Sequence, residues 1–116
     1  DASLYGIQWH RGSNNLAFLA ALTGDGARVR NLGCTVAHYC YVADGSLDAN
    51  IQEQGRLWDF AAVALIATES GLRCTDWSGR PVFPIRDLVG AGHTQTVVAR
   101  PHLHRRILTL LAPFAE

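Results

Sequence analysis

The chain has 116 residues and a mass of 12.6 kDa, which is the size of a single domain. Hydrophobic residues make up 48% and charged residues 17%, which excludes intrinsic disorder, and no apolar run reaches the ~18 residues of a membrane span. Its 10 basic residues, all Arg, balance 10 acidic residues, so the zero net charge argues against a nucleic-acid or membrane-surface binder.

The sequence predicts strands that alternate with helices. The expected elements in chain order are a strand over Leu4–Trp9, a helix over Asn14–Leu22, a strand over Ala27–Leu32, a helix over Cys34–Ala43, a strand over Leu47–Ile51, a helix over Trp58–Ser70, a strand over Leu72–Thr75, a strand over Thr94–Ala99 and a helix over Pro101–Ala112. Residues 80–93 are rich in Pro and Gly and are expected to form a loop. This alternation predicts a layered α/β domain over residues 1–116.

The first residue and the cysteines bear on processing and compartment. The chain begins at Asp1 rather than Met, so it is expected to be processed or a piece of something longer, and no signal-peptide pattern follows. The three cysteines, Cys34, Cys40 and Cys74, are odd in number and contain no Cys-x-x-Cys pair. They are therefore expected to be reduced, buried thiols of a cytoplasmic protein.

The histidines and one tryptophan are weaker candidates for site residues. The histidines do not have chelating spacing, since His102 and His104 diverge on a helix, and each is expected to be structural or at the surface. Trp77 lies at a predicted turn and is a candidate contact for a partner.

The helix predicted over Trp58–Ser70 is apolar on nearly every side, so it is expected to be covered all round by neighbouring layers. Asp59 is the carboxylate at its start. On the residues alone, Asp59 either caps the first amides and complements the helix dipole, or points into a cleft and binds a hard cation such as Mg²⁺.

Five segments, in one order, resemble the inositol monophosphatase family. They are Arg30–Thr35, Tyr41–Ala49, Trp58–Ala62 with Glu69–Gly71, Asp76–Pro81, and Val97–Ala99 with the closing helix. The Trp-Asp pair followed by small and apolar residues is similar to the second signature of that family. The resemblance covers about residues 27–112.

The resemblance implies a layered α/β fold with a mixed sheet, of which this chain is the C-terminal half. Members of the family are Mg²⁺-dependent, lithium-sensitive phosphatases of small phosphomonoesters. Their N-terminal half carries a Glu-Glu pair and an Asp-Pro-x-Asp-Gly-Thr motif, neither of which occurs here. The resemblance therefore implies that the catalytic half is absent, that no residue of this chain activates the attacking water, and that the fragment alone is inactive.

The resemblance also implies roles for individual residues. Gly33, Cys34 and Thr35 match the segment that contacts the substrate's hydroxyls, and Glu53 matches a substrate-contacting Glu two residues before a Gly. The alternatives are an ordinary strand-to-helix turn for Gly33 and a solvated loop position for Glu53. Asp59 matches a Mg²⁺ ligand on the leaving-group side of the phosphate.

The expected function is hydrolysis of inositol monophosphate or a related sugar or alcohol phosphate, in a cytoplasmic enzyme that binds neither nucleic acid nor membrane. The expected partners are the small phosphorylated substrate and the N-terminal half of the same fold, with a homodimer possible. The alternative is a non-catalytic binding or assembly module derived from that fold. Under either expectation, a face that normally packs on the other half would leave an exposed apolar patch.

Overall fold

A computed structural model of the chain describes residues 3–9, 16–55, 65–82 and 94–115. The described elements in chain order are β1 (Leu4–Gln8), α1 (Ala17–Gly24), β2 (Arg28–Arg30), α2 (Thr35–Ala43), β3 (Ala49–Gly55), α3 (described over residues 65–69), β4 (Arg73–Asp76), β5 (Thr94–Ala99), α4 (Pro101–Leu111) and a closing 3₁₀ turn (Ala112–Phe114). None of the helices in these ranges has the length and apolar character needed to cross a membrane.

The five strands form one mixed sheet in the order β2-β1-β3-β5-β4. Strand β1 runs parallel to β2 and β3, whereas β5 runs antiparallel to β3 and β4. The register pairs Ile7 with Ile51 and Ile51 with Val97, which aligns apolar side chains across the centre of the sheet. One extra residue in β3 forms a bulge between Gln52 and Gly55. The predicted α/β layers with a mixed sheet are confirmed.

The direction of the crossovers explains why both faces of the sheet carry helices. The chain crosses from β1 to β2 through α1 and then returns past β1 to β3 through α2. Because connections between parallel strands are almost always right-handed, two crossings in opposite directions place α1 and α2 on opposite faces. We call these the α1/α4 face and the α2 face.

Each face of the sheet packs against an apolar core of its own. The α1/α4 face holds the larger apolar core, in which Phe18 and Ile107 pack on Ile51 and Val97. The α2 face has a smaller apolar core, which includes Tyr39, Val42, Leu72 and Val98. The buried polar side chains of the described strands and of α2 are His38, Asn50, Gln52, Thr75 and Thr96.

Trp77 belongs to the core, so the expectation that it contacts a partner is wrong. Its side chain is only 2% exposed and its ring lies against Phe18, with ring centroids 5.1 Å apart. The indole N–H donates a hydrogen bond of 3.2 Å to the carbonyl oxygen of Thr96. The turn after β4 therefore folds this side chain inward, which a turn pattern alone does not reveal.

The expectation of buried thiols is wrong for two of the three cysteines. Cys34 and Cys40 are exposed at the start and on the outer side of α2, and only Cys74 is partly buried. Burial raises the pKa of the Cys74 thiol to about 11. All three are free thiols.

The predicted element bounds differ from the structure at particular places. Helix α1 begins at Ala17 rather than Asn14, and β3 continues past Ile51 to Gly55. The expected loop over residues 80–93 and the expected helix over residues 58–70 lie largely outside the described residues. Within residues 65–69, Leu65 and Ile66 are exposed, which contradicts a helix covered all round.

Candidate functional site

The candidate site lies at the carboxyl ends of the parallel strands. In open α/β sheets, ligands bind in the crevice just beyond the carboxyl ends of the strands. The crevice forms between two adjacent strands whose following connections run to opposite sides of the sheet. Here that crevice is between β1 and β3. The Gly33–Thr35 segment follows β2 at this edge, and Glu53 lies in the last part of β3. The sheet topology therefore brings the expected substrate-contact residues to one edge.

A tight turn connects β2 to α2. The Asn31 side-chain oxygen accepts a hydrogen bond of 3.0 Å from the Gly33 N–H. Gly33 has φ +73°, a left-handed conformation in which a side chain would be strained. The backbone N–H of Leu32 donates to His38 Nε2 at 3.0 Å. The strand-to-helix turn is thus held by the side chain of Asn31, which precedes it, and by that of His38, which lies in α2.

The turn delivers Cys34 and Thr35 to the start of α2. Cys34 is the N-cap, with an extended backbone and no capping hydrogen bond from its side chain. Because the first amides of a helix have no partner within the helix, this end attracts hydroxyl oxygens and anions. The Thr35 hydroxyl donates a long hydrogen bond of 3.5 Å to the side-chain oxygen of Gln52.

Gln52, which the sequence prediction did not name, lies beside Thr35. Gln52 is 1% exposed and shares the α2 face with Asn50, whereas Ile51 between them packs into the α1/α4 core. Glu53 is half-buried and follows at the bulge. The sequence prediction missed Gln52 because it ended the strand at Ile51. The signal that could have found it is the alternation of Ala49, Asn50, Ile51 and Gln52 between the two faces.

A line of side-chain amides continues from Gln52 into the sheet. The Gln52 side-chain nitrogen donates to the Asn50 side-chain oxygen at 3.5 Å, and the Asn50 side-chain nitrogen donates to the Gly6 carbonyl oxygen at 3.3 Å. Both side chains are buried, and a buried polar group costs stability unless it is hydrogen-bonded. These bonds link the start of α2 to β1.

His38 is fully buried against β1, in agreement with the expected structural role. A Cβ placed on Gly6 would lie 3.0 Å from the His38 ring, so the ring occupies the space that this glycine leaves. Because Nε2 accepts the Leu32 N–H, the neutral ring carries its proton on Nδ1, and Nδ1 has no hydrogen-bond partner among the described residues. Burial lowers the pKa of His38 below its ordinary value, which favours this neutral form.

Asp59, the expected metal ligand, lies outside the described residues. Within the ranges that the structure describes, His, Cys, Asp and Glu form no group of three or more that could hold a metal ion. What the described part of the chain does provide is the start of α2 and the Thr35 hydroxyl, which suit hydrogen bonding to a polyhydroxyl ligand.

The chain is similar to known proteins both in sequence and in structure. A model of the inositol monophosphatase family matches residues 6–112. The chain is 35% identical over 106 residues to the probable inositol 1-monophosphatase ImpA of Mycobacterium tuberculosis, covering 90% of this chain and 36% of that protein. It is 33% identical over 85 residues to a bifunctional NADP phosphatase/NAD kinase of Methanocaldococcus jannaschii, covering 72% and 14% respectively.

Solved structures share the fold. Inositol monophosphatase-II from Staphylococcus aureus superposes with a TM-score of 0.80 at 22% identity, covering 97% of this chain and 42% of that chain. The chain thus spans less than half the length of each of these three proteins.

Proposed function

Because this chain belongs to the inositol monophosphatase family, we propose that it forms part of an enzyme that hydrolyses a small phosphomonoester, namely inositol monophosphate or a related sugar or alcohol phosphate. The observation that carries the proposal is the family match over residues 6–112. Relatives named as an inositol 1-monophosphatase and an NADP phosphatase support the reaction class.

The proposed role of this chain is to bind the alcohol part of the substrate. The backbone at Gly33 and the start of α2 donate N–H groups to hydroxyl oxygens of the substrate. The Cys34 thiol is exposed at this position but is a weaker donor than a hydroxyl would be. Glu53 accepts hydrogen bonds from a vicinal diol or an amine of the substrate. This arrangement favours a polyhydroxyl alcohol over a simple alkyl one.

We further propose that Asp59 is a Mg²⁺ ligand in the assembled enzyme. A carboxylate oxygen is a ligand that Mg²⁺ prefers, and a bound divalent ion supplies charge stabilisation to phosphate-ester hydrolysis. Among the described residues there is no group of three or more His, Cys, Asp or Glu side chains that could hold a metal ion, so the remaining ligands of such an ion are proposed to come from the complementary half.

The chain alone is proposed to be inactive, because it covers 36% of ImpA and 42% of the S. aureus phosphatase. The test is phosphate release from inositol 1-phosphate, with and without Mg²⁺, by the 116-residue chain and by an enzyme that joins it to the complementary half of a relative. The joined protein is expected to release phosphate and the chain alone is not. Robust Mg²⁺-dependent hydrolysis by the chain alone would contradict this division of roles.

Replacing the expected ligand tests the role of Asp59 in the joined enzyme. Asp59→Asn keeps the size of the side chain but removes the charge, so activity is expected to fall by roughly a hundredfold or more at ordinary Mg²⁺ concentrations. Asp25→Asn is the matched control, because Asp25 pairs with Arg106 on the α1/α4 face. Unchanged phosphate release by the Asp59→Asn enzyme would show that the assigned role is wrong.

A non-catalytic binding or assembly module is the second candidate, and one observation favours it. Large apolar side chains are exposed around α2 and α3, namely Leu32, Val36, Tyr41, Leu65 and Ile66. Such a surface binds either the complementary half or a second copy of the chain. Light scattering of the purified chain tests the homodimer, and a monomer at high concentration would count against it.

We propose a cytoplasmic location, in keeping with the three free cysteines.

A further inference from the structure

We propose that His38 and Gln52 are positioning residues that tie the segment from Leu32 to Thr35 to Gly6 of β1 from two sides. The inference rests on the proposed function in one respect, namely that this segment contacts the substrate. Neither side chain is exposed, so each acts through the backbone and the hydroxyl that it holds rather than by touching the substrate.

The first tie runs through His38. This residue lies one turn into α2, and its Nε2 accepts the Leu32 N–H at 3.0 Å, so the helix holds the turn that precedes it. Leu32 is half-exposed and comes directly before the left-handed Gly33. The bond therefore fixes the backbone just upstream of the expected substrate contacts.

The second tie runs through Gln52 and Asn50. The Thr35 hydroxyl donates to Gln52, Gln52 donates to Asn50, and Asn50 donates to the Gly6 carbonyl. All three donors point the same way along this line, an arrangement in which neighbouring hydrogen bonds strengthen one another. The individual bonds are long, between 3.3 and 3.5 Å, so each is weaker than an ordinary hydrogen bond.

Both ties end at Gly6. The Gly6 carbonyl accepts the second tie, and the absence of a Cβ at Gly6 makes room for the ring of the first. Strand β1 is buried and paired on both sides, by β2 and β3, so it is a rigid base for the site. When the segment from Leu32 to Thr35 is already fixed to this strand before the substrate binds, it loses less conformational entropy on binding.

One feature of His38 sets it apart from an ordinary core residue. Its Nδ1 has no hydrogen-bond partner among the described residues although the ring is fully buried, which is unfavourable for folding. An apolar side chain of similar size would avoid that penalty but could not accept the Leu32 N–H. The polar ring therefore serves the Leu32 bond rather than the stability of the core.

Nuclear magnetic resonance of the ¹⁵N-labelled 116-residue chain tests the first tie directly. A scalar coupling across the hydrogen bond is expected between the Leu32 amide nitrogen and His38 Nε2, with the ring proton on Nδ1. Absence of this coupling, or a ring proton on Nε2, overturns the proposal without any substitution being made.

Matched variants separate positioning from packing. In His38→Gln the amide oxygen reaches about as far as Nε2 and keeps the acceptor, whereas His38→Leu fills the space without one. Exchange of the Leu32 amide with solvent is expected to be roughly tenfold faster or more in His38→Leu and close to wild type in His38→Gln. The Gly33 amide, held by Asn31, is the internal reference. Equal Leu32 exchange in both variants overturns the proposal.

The second tie has its own variant and its own readout. Gln52→Leu removes both hydrogen bonds of that side chain and is expected to shift the amide signals of Cys34 and Thr35. The coupling between Leu32 and His38 is expected to persist, because it belongs to the other tie. Unshifted signals at the start of α2 would remove Gln52 from the proposal.

Kinetics of the joined enzyme distinguish failure of this inference from failure of the proposed function. His38→Leu is expected to raise KM for inositol 1-phosphate roughly tenfold with kcat changed by less than about threefold, and His38→Gln is expected to restore KM. An equal loss in both variants overturns the positioning role. A joined wild-type enzyme without phosphatase activity contradicts the proposed function, while the coupling between Leu32 and His38 still decides the inference.

Discussion

Gly6→Ala is the substitution that most directly probes the packing beneath the candidate site. The added Cβ would lie 2.8 Å from Leu47 Cδ1 and 3.0 Å from two carbons of the His38 ring. Carbon atoms in favourable contact lie ~3.5–4.0 Å apart, so these neighbours must move by about half an ångström or more. The Leu47 methyl is the end of a flexible side chain and can rotate away. The His38 ring is held by Leu32, so the strain falls on that bond.

The magnitude follows from two opposing effects. Overpacking a filled site costs about 1–3 kcal/mol of unfolding free energy, whereas replacing Gly by Ala restricts the unfolded chain and returns about 0.4–1 kcal/mol. Gly6 is not among the glycines with positive φ, so no backbone strain is added. The net loss expected is about 1–2 kcal/mol, or roughly 4–8 °C in the melting temperature of a domain this size.

Urea unfolding followed by tryptophan fluorescence measures this loss, and Leu32 amide exchange reports its origin. Gly24→Ala is the matched control, because a Cβ at Gly24 meets nothing within 4 Å and its φ is not positive. The control is expected to be as stable as wild type or up to about 1 kcal/mol more stable. A Gly6→Ala chain that matches the control in stability and in Leu32 exchange would refute the reasoning.

Three further predictions concern buried groups. Burial lowers the pKa of both His38 and His104, with Arg73 adding to the effect at His104. The unfolded chain therefore binds more protons than the folded chain as the pH falls through about 6.5, and the unfolding free energy is expected to fall with it. At pH 8, the exposed thiols of Cys34 and Cys40 are expected to react readily with a disulfide reagent. Burial raises the pKa of the Cys74 thiol to about 11, so Cys74 is expected to react only on unfolding. Trp77→Ala is expected to lose about 3–5 kcal/mol of unfolding free energy, measured by urea denaturation.

Each of these has an outcome that would contradict it. A stability that is flat or rises as the pH falls would mean that the two histidines are not held neutral. Three thiols reacting at one rate would contradict the partial burial of Cys74. A Trp77→Ala chain within about 1 kcal/mol of wild type would contradict its place in the core, because surface substitutions have effects of this size.

The sequence predicted the parts of the fold in which local signals and packing agree. Strand β5 has the predicted bounds, Thr94–Ala99, because four of its six residues are β-branched Thr or Val, which favour the pleated sheet. Helix α2 begins within one residue of its prediction because Gly33 and the polar turn before it mark a strand-to-helix transition. The expected substrate segment therefore lies at a helix start, as the motif resemblance implied.

The misses have a common physical cause. Asn50 and Gln52 are polar yet buried, because their hydrogen bonds are made with each other, with Thr35 and with a backbone carbonyl far away in sequence. A pattern that equates polar with exposed ends the strand too early. Trp77 shows the opposite error: it lies at a turn, which suggests exposure, yet it is buried. The sequence position of a turn does not indicate which layer will cover its side chains.

The position of β5 inside the sheet has a consequence for how the chain folds. Strand β5 is the last strand in sequence, yet it lies between β3 and β4 and pairs with both. As the chain leaves the ribosome, β4 has no neighbour in the sheet and β3 keeps one open edge until residue 99 has emerged. Open edges of this kind are where chains misassemble or aggregate. Chains that stop before β5 are therefore expected to be targets for chaperones and proteases rather than folded intermediates.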